Sequence, residues 1–172
     1  RFMGFWRIIR PALFWVFVFA FSVILVSFLI LFVGPSSPAP HITWGVNFSQ
    51  KFASGLQVDW RAAYDAILED LRPAHVKVLS AWDEVETEPG VYSFDSVDYQ
   101  LNRAAVYRAD VVLVVGMKTG RWPECHLPGW AKPLSRSEQQ ERILGILGAF
   151  VARYRTHPAL AVWQVENEAM FP

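Results

Sequence analysis

DVVLVVGM, residues 110–117, is almost continuously apolar and rich in valine. A run of this length and composition reads as a strand buried on both faces, which is the habit of a parallel sheet. Working outward, three more β-like runs are separated by helical ones. HITWGVNF (41–48), HVKVLSAW (75–82) and ALAVWQVE (159–166) are the other strands. Asp59 is placed to cap a helix with apolar positions Trp60, Ala63, Tyr64, Ile67, Leu68 and Leu71, the spacing of a helix packed on one face. SVDYQLNRAAVYRA (96–109) is a second helix. A third follows a capping-box pattern at Ser137 and Gln140, with Ile143, Leu144, Ile146, Leu147, Phe150, Val151 and Tyr154 expected on its buried side. The order β-α-β-α-β-α-β predicts an α/β fold with a parallel sheet and right-handed crossovers.

Two architectures share that order: a complete four-stranded doubly wound domain, and the first half, β1 to β4, of a (β/α)8 barrel. A full barrel needs about 250 residues. The chain has 172 residues, of which 41–172 form the expected folded domain. A doubly wound domain normally covers its last strand with a helix, and none follows here. No strand is followed by a glycine-rich phosphate loop. The expectation is therefore a truncated barrel, open to a missing second half.

The N-terminus is of another kind. Residues 11–34, PALFWVFVFAFSVILVSFLILFVG, carry no charge. As a helix they would rise roughly 35 Å, enough to cross a bilayer. Arg1, Arg7 and Arg10 precede them, and the next basic residue is Lys51. The positive-inside bias then predicts a single-pass membrane protein, with residues 1–10 cytoplasmic and the domain outside. Residues 35–40 form a Pro/Ser linker. A cleaved signal peptide is the alternative, although its apolar core is usually only about 7–15 residues long. The formal net charge of zero gives no sign of a nucleic-acid partner, and Cys125, the single cysteine, permits no internal disulfide. No His, Cys, Asp or Glu spacing suggests a metal, and no cofactor is expected.

In barrels of this type the chemistry sits at the C-terminal ends of the strands. There this sequence places Asn47, then Trp82 with Asp83 and Glu84, then the loop KTGRWPECHLPGW (118–130), and finally Glu166, Asn167 and Glu168. Tryptophans beside carboxylates and amides suit a sugar, whose C–H face stacks on indole while its hydroxyls take hydrogen bonds. Trp122 and Trp130 can equally serve to fold a long loop onto the domain.

HVKVLSAWDEVETEPGVYSFDSVD (75–98) resembles the second-strand region of the retaining glycoside hydrolases built on the (β/α)8 barrel, and AVWQVENE (161–168) resembles their fourth strand, which ends in Asn-Glu. Cellulase-like and β-galactosidase-like families share these features. The resemblance implies hydrolysis of O-glycosidic bonds by two carboxyl groups about 5–5.5 Å apart. It implies Glu168 as the general acid/base and Asn167 as the amide that binds the sugar 2-hydroxyl. The nucleophile belongs to a seventh strand, which these residues do not include, so the chain alone is expected to be inactive. Glu166 lies on the same strand as Glu168 and cannot reach the sugar from across the ring; it is expected to support the site by hydrogen bonding. Lys77 stands where the family usually has arginine, keeping the charge but losing the bidentate fork. With Asn47, Trp82, Trp122 and His126 it completes the expected contacts to an oligo- or polysaccharide substrate. The alternative is a membrane-anchored, non-catalytic carbohydrate-binding or scaffold protein on the same barrel.

Overall fold

The computed structural model describes residues 2–32, 40–120 and 125–167. The chain divides into two units, Arg1–Ile42 and Thr43–Pro172. The first contains α1 (Phe2–Phe32), a 31-residue helix. It begins nine residues before the expected start and runs through Pro11. Its segment Arg10–Phe32 is long and apolar enough to cross a membrane, and none of it is buried. The Pro/Ser linker lies largely outside the described residues.

The second unit is a parallel four-stranded sheet in the order β1-β2-β3-β4. The strands are β1 (Gly45–Phe48), β2 (His75–Leu79), β3 (Asp110–Val115) and β4 (Leu160–Val165). Each lies beside its predecessor, as right-handed crossovers through helices allow. All four are shorter than their apolar runs. Trp82 is the clearest case: instead of ending a strand it opens the short helix α4 (Trp82–Val85).

A helix not anticipated from periodicity, α2 (Gln50–Gly55), follows β1 directly. α3 (Trp60–Ala66) starts at the expected cap, where Asp59 accepts hydrogen bonds from the amides of Arg61 and Ala62. It then widens into a π-turn at Ile67–Leu71. The wider turn breaks the 3.6-residue period, which is why Leu71 is exposed although it fits the stripe. α5 (Asp95–Tyr107) and α6 (Arg136–Tyr154) complete the layer. The capping box of α6 is Ser135 with Glu138, not Ser137 with Gln140. Ser135 precedes the first helical residue, whereas Ser137 is already the second residue of the helix and cannot be its N-cap. On α6, Ile146, Phe150 and Tyr154 are buried, but Leu144 and Val151 are exposed. Those two lie one heptad apart, on the flank of the stripe.

The core lies between one face of the sheet and these helices. Phe48, Val76, Val78, Val111, Leu113 and Val115 meet Tyr64, Leu68, Val97, Leu101, Ile146 and Phe150. The EPGVYSFDSVD segment, read first as a family signature, stitches α4, α5 and α6 together. The buried Glu86 carboxylate accepts from Trp82 Nε1 and from the amide of Gly90, both at 2.7 Å. Phe94 packs edge-on against Phe150 and Tyr154. Asp98 accepts from Tyr154 at 2.7 Å and from both arms of the Arg153 guanidinium.

The opposite face of the sheet is less covered. Asn47, Lys77, Val112 and Val162 are paired across the four strands and form one row there. Asn47 and Val162 are exposed and Lys77 is half-buried.

Candidate functional site at the carboxyl ends of the strands

The end of β4 is locked to the end of β3 by side chain and backbone together. Glu166 adopts φ +59°, a left-handed conformation that costs a non-glycine residue about 1 kcal/mol or more. Its carboxylate offsets this by accepting from the amides of Met117 (2.9 Å) and Lys118 (2.5 Å). Its own amide donates to Val115 O, and that of Asn167 donates to Lys118 O. Gly116 makes the approach possible: it sits at φ +135°, and a Cβ there would lie 2.5 Å from Glu166 Oε1. Glu166 is thus the clamp on which Asn167 is mounted.

Asn167 faces the loop after β3. Its amide lies 3.7 Å from where a Cβ on Gly120 would stand, and Gln164 Nε2 donates to its Oδ1 at 3.4 Å. Gly120 is held in turn by His126, whose Nε2 lies 3.1 Å from Gly120 O. The other ring nitrogen, Nδ1, lies 3.2 Å from Lys51 Nζ. Lysine can only donate and a carbonyl can only accept, so His126 carries its proton on Nε2. Lys51 is also paired with Asp83 at 2.5 Å. Next to it burial pushes the Glu84 carboxyl up; Lys51 draws it back down and Asp83 pushes it further up.

The chain Asp83–Lys51–His126–Gly120 joins residues from α2, α4 and the loop after β3. Beside it lies a cavity of about 310 Å³. Of the expected site residues, the structure brings together Glu166, Asn167 and His126. Asn47 and Lys77 share one rung of the sheet, in line with Val112 and Val162. Val165, the last residue before Glu166, pairs with Val115, three rungs further on. At about 3.3 Å per residue this sets Lys77 on the order of 10 Å deeper along the strands.

Trp82 is a correction. It was expected at the sugar, but its ring is 1% exposed, its Nε1 is bonded to Glu86, and Trp130 meets it edge-on at 5.9 Å. Trp82 and Val85 are the buried residues of α4, and the indole belongs to the core. Trp130 donates to Glu86 O and likewise folds its loop onto the domain. Glu168 and Trp122 lie outside the described residues. Among those described, no group of three His, Cys, Asp or Glu side chains is arranged to hold a metal ion.

No protein-family model matches the chain, and no curated protein matches it. Solved structures do. The cold-adapted β-galactosidase from Rahnella sp. R3 aligns with a TM-score of 0.54 and 22% identity, over 77% of this chain and 22% of that one. GH5_18 from Bifidobacterium longum subsp. longum aligns with a TM-score of 0.59 and 15% identity, over 74% of this chain and 34% of that one. GH5_18 from Streptomyces cattleya, solved with GlcNAc, gives 0.51 and 20%, over 77% and 35%. These neighbours are glycoside hydrolases. What they share with this chain is the fold: its four parallel strands and helices match the first half of their barrel. The chain spans between about a fifth and a third of their length.

Proposed function

We propose that this chain is the acid half of a retaining glycoside hydrolase, carried outside the membrane by α1. The observation that carries the reading is the end of β4. There Asn167 is fixed between the Glu166 clamp and Gly120, at the carboxyl edge of a sheet whose fold is shared with β-galactosidases and GH5 enzymes. In this reading Asn167 binds the 2-hydroxyl of the reacting sugar. Glu168, next in sequence, protonates the leaving oxygen and later deprotonates the attacking water. A second carboxylate, about 5–5.5 Å away, attacks the anomeric carbon and holds the glycosyl group. That nucleophile comes from a later part of the barrel than these four strands. Lys77 contributes positive charge from deeper along the strands, below the site, and α1 spans the bilayer with its arginine flank inside.

The test is the leaving-group dependence of Glu168→Gln in the full native protein. Glutamine keeps the shape of the acid but delivers no proton. Hydrolysis of disaccharides should fall by about 10²–10⁴-fold. Glycosylation by activated aryl glycosides, whose leaving groups need no protonation, should fall far less. Equal losses on both, or none on either, would remove Glu168 from the acid role. Binding of saccharides without turnover by the native protein would favour the scaffold reading.

A further inference from the structure

Two clamps hold the start of the loop after β3. Glu166 grips the amides of Met117 and Lys118. His126, which is 7% exposed, grips the far end. Its amide donates to Met117 O at 2.9 Å, and its carbonyl accepts from the Asp83 amide at 3.2 Å. Its Nε2 lies 3.1 Å from Gly120 O. Asn167 stands on the segment between the clamps: its amide donates to Lys118 O, and a Cβ on Gly120 would lie 3.7 Å from its Cγ. The side-chain bond from Gln164 to Asn167 Oδ1 is long, 3.4 Å, so it holds the amide loosely. The orientation of that amide therefore follows the backbone it stands against.

The second clamp closes in only one of the two neutral forms of His126. With the proton on Nδ1, the lone pair of Nε2 would face the Gly120 carbonyl oxygen, and the bond would be lost. Which nitrogen carries the proton is set by what the other one meets. Here Nδ1 meets the ammonium of Lys51 at 3.2 Å, a group that can only donate. Lys51 is the second residue of α2, and Asp83 holds it there at 2.5 Å. Asp83 thus ties His126 twice, through its own amide and through Lys51.

We propose that Lys51 is a positioning residue for the sugar 2-hydroxyl. It fixes the His126 tautomer, His126 fixes Gly120, and Gly120 sets the orientation of the Asn167 amide. That the group bound by Asn167 is a 2-hydroxyl rests on the hydrolase reading. The hydrogen bond to this hydroxyl strengthens in the transition state. A misplaced amide therefore lowers kcat more than it raises KM.

Lys51→Met and Lys51→Arg in the full native protein, in detergent micelles, test this. Methionine keeps the stem and removes the donor; arginine restores a donor that can also pair with Asp83. Long-range ¹H–¹⁵N NMR of the native protein should show His126 protonated on Nε2, with the signal assigned by its loss in His126→Gln. Lys51→Met should mix the tautomers and shift the side-chain NH2 resonance of Asn167, and Lys51→Arg should restore both. The kinetic probes are p-nitrophenyl glycosides and their 2-deoxy counterparts, of gluco and galacto configuration. Lys51→Met should lose about 3–10-fold in kcat on the 2-hydroxy substrates, the worth of one hydrogen bond, and far less on the 2-deoxy ones. A native His126 protonated on Nδ1, or an Asn167 resonance indifferent to Lys51→Met, would overturn the proposal. So would equal losses on both substrates, since a merely structural lysine would lower Tm without regard to the 2-hydroxyl. An Asn167 resonance that moves with Lys51→Met, in a native protein that turns over no glycoside, would keep the relay and reject the hydrolase. Turnover that shows the leaving-group dependence of Glu168→Gln but equal losses on both substrates in Lys51→Met would keep the hydrolase and reject the relay.

Discussion

Glu166 and Gly116 form one unit: the glycine leaves the space that the carboxylate fills, and the carboxylate ties β4 to β3. Glu166→Gln turns one acceptor into an NH2 group facing a backbone N–H. It should cost about 1–3 kcal/mol of stability, read as a lower Tm. Gly116→Ala meets the same carboxylate at 2.5 Å and adds an unfavourable φ, so it should cost a similar amount. Because the two act on one contact, the double variant should fall short of their sum. Additive losses would mean that the clamp is not the contact they share. The sequence does show two glycines after β3, in VGMKTG, but not which side chain comes to rest on them. Lys51, and its pairing with Asp83, were missed for the same reason. They are 32 positions apart, and no periodicity connects them.

At the level of elements, α5 and α6 are joined through Asp98. The Arg153 guanidinium, helped by the Tyr154 hydroxyl and only partly opposed by burial, holds the Asp98 carboxyl below its usual value. A depressed carboxyl adds stability that is fully present above the unfolded value of about 3.9 and is lost as pH falls through the lower, folded one. Asp98→Asn should therefore lower Tm at neutral pH and lose less on acidification below about pH 4. Melts of both proteins between roughly pH 2 and 6 check this; parallel curves would show that the pair adds nothing. Strand and helix identities were legible because burial imposes periods of 2 and 3.6 on the residues. Their edges were not. The π-turn exposes Leu71, and Trp82 leaves β2 for a short helix because Glu86 and Trp130 offer its indole a closed site. α2, six residues long, is too short to show a period.

For the whole molecule, the sequence pattern carried the parallel α/β order, and the match to the first half of glycosidase barrels agrees with it. If α1 is an anchor with its arginines inside, protease added to intact cells should digest the second unit and leave α1 in the membrane; protection of that unit would reverse the orientation. The central claim, that Asn167 and Glu168 are the acid half of a hydrolase site, is met most directly by chemical rescue. The measurement is the turnover of an activated aryl glycoside by Glu168→Gln with and without azide. Azide attacks the glycosyl-enzyme without a general base, so it should restore turnover and release a glycosyl azide of retained configuration. Glu166→Gln, assayed below its Tm, should show no such rescue. Absence of the azide product from Glu168→Gln, or an equal response from Glu166→Gln, would contradict the account.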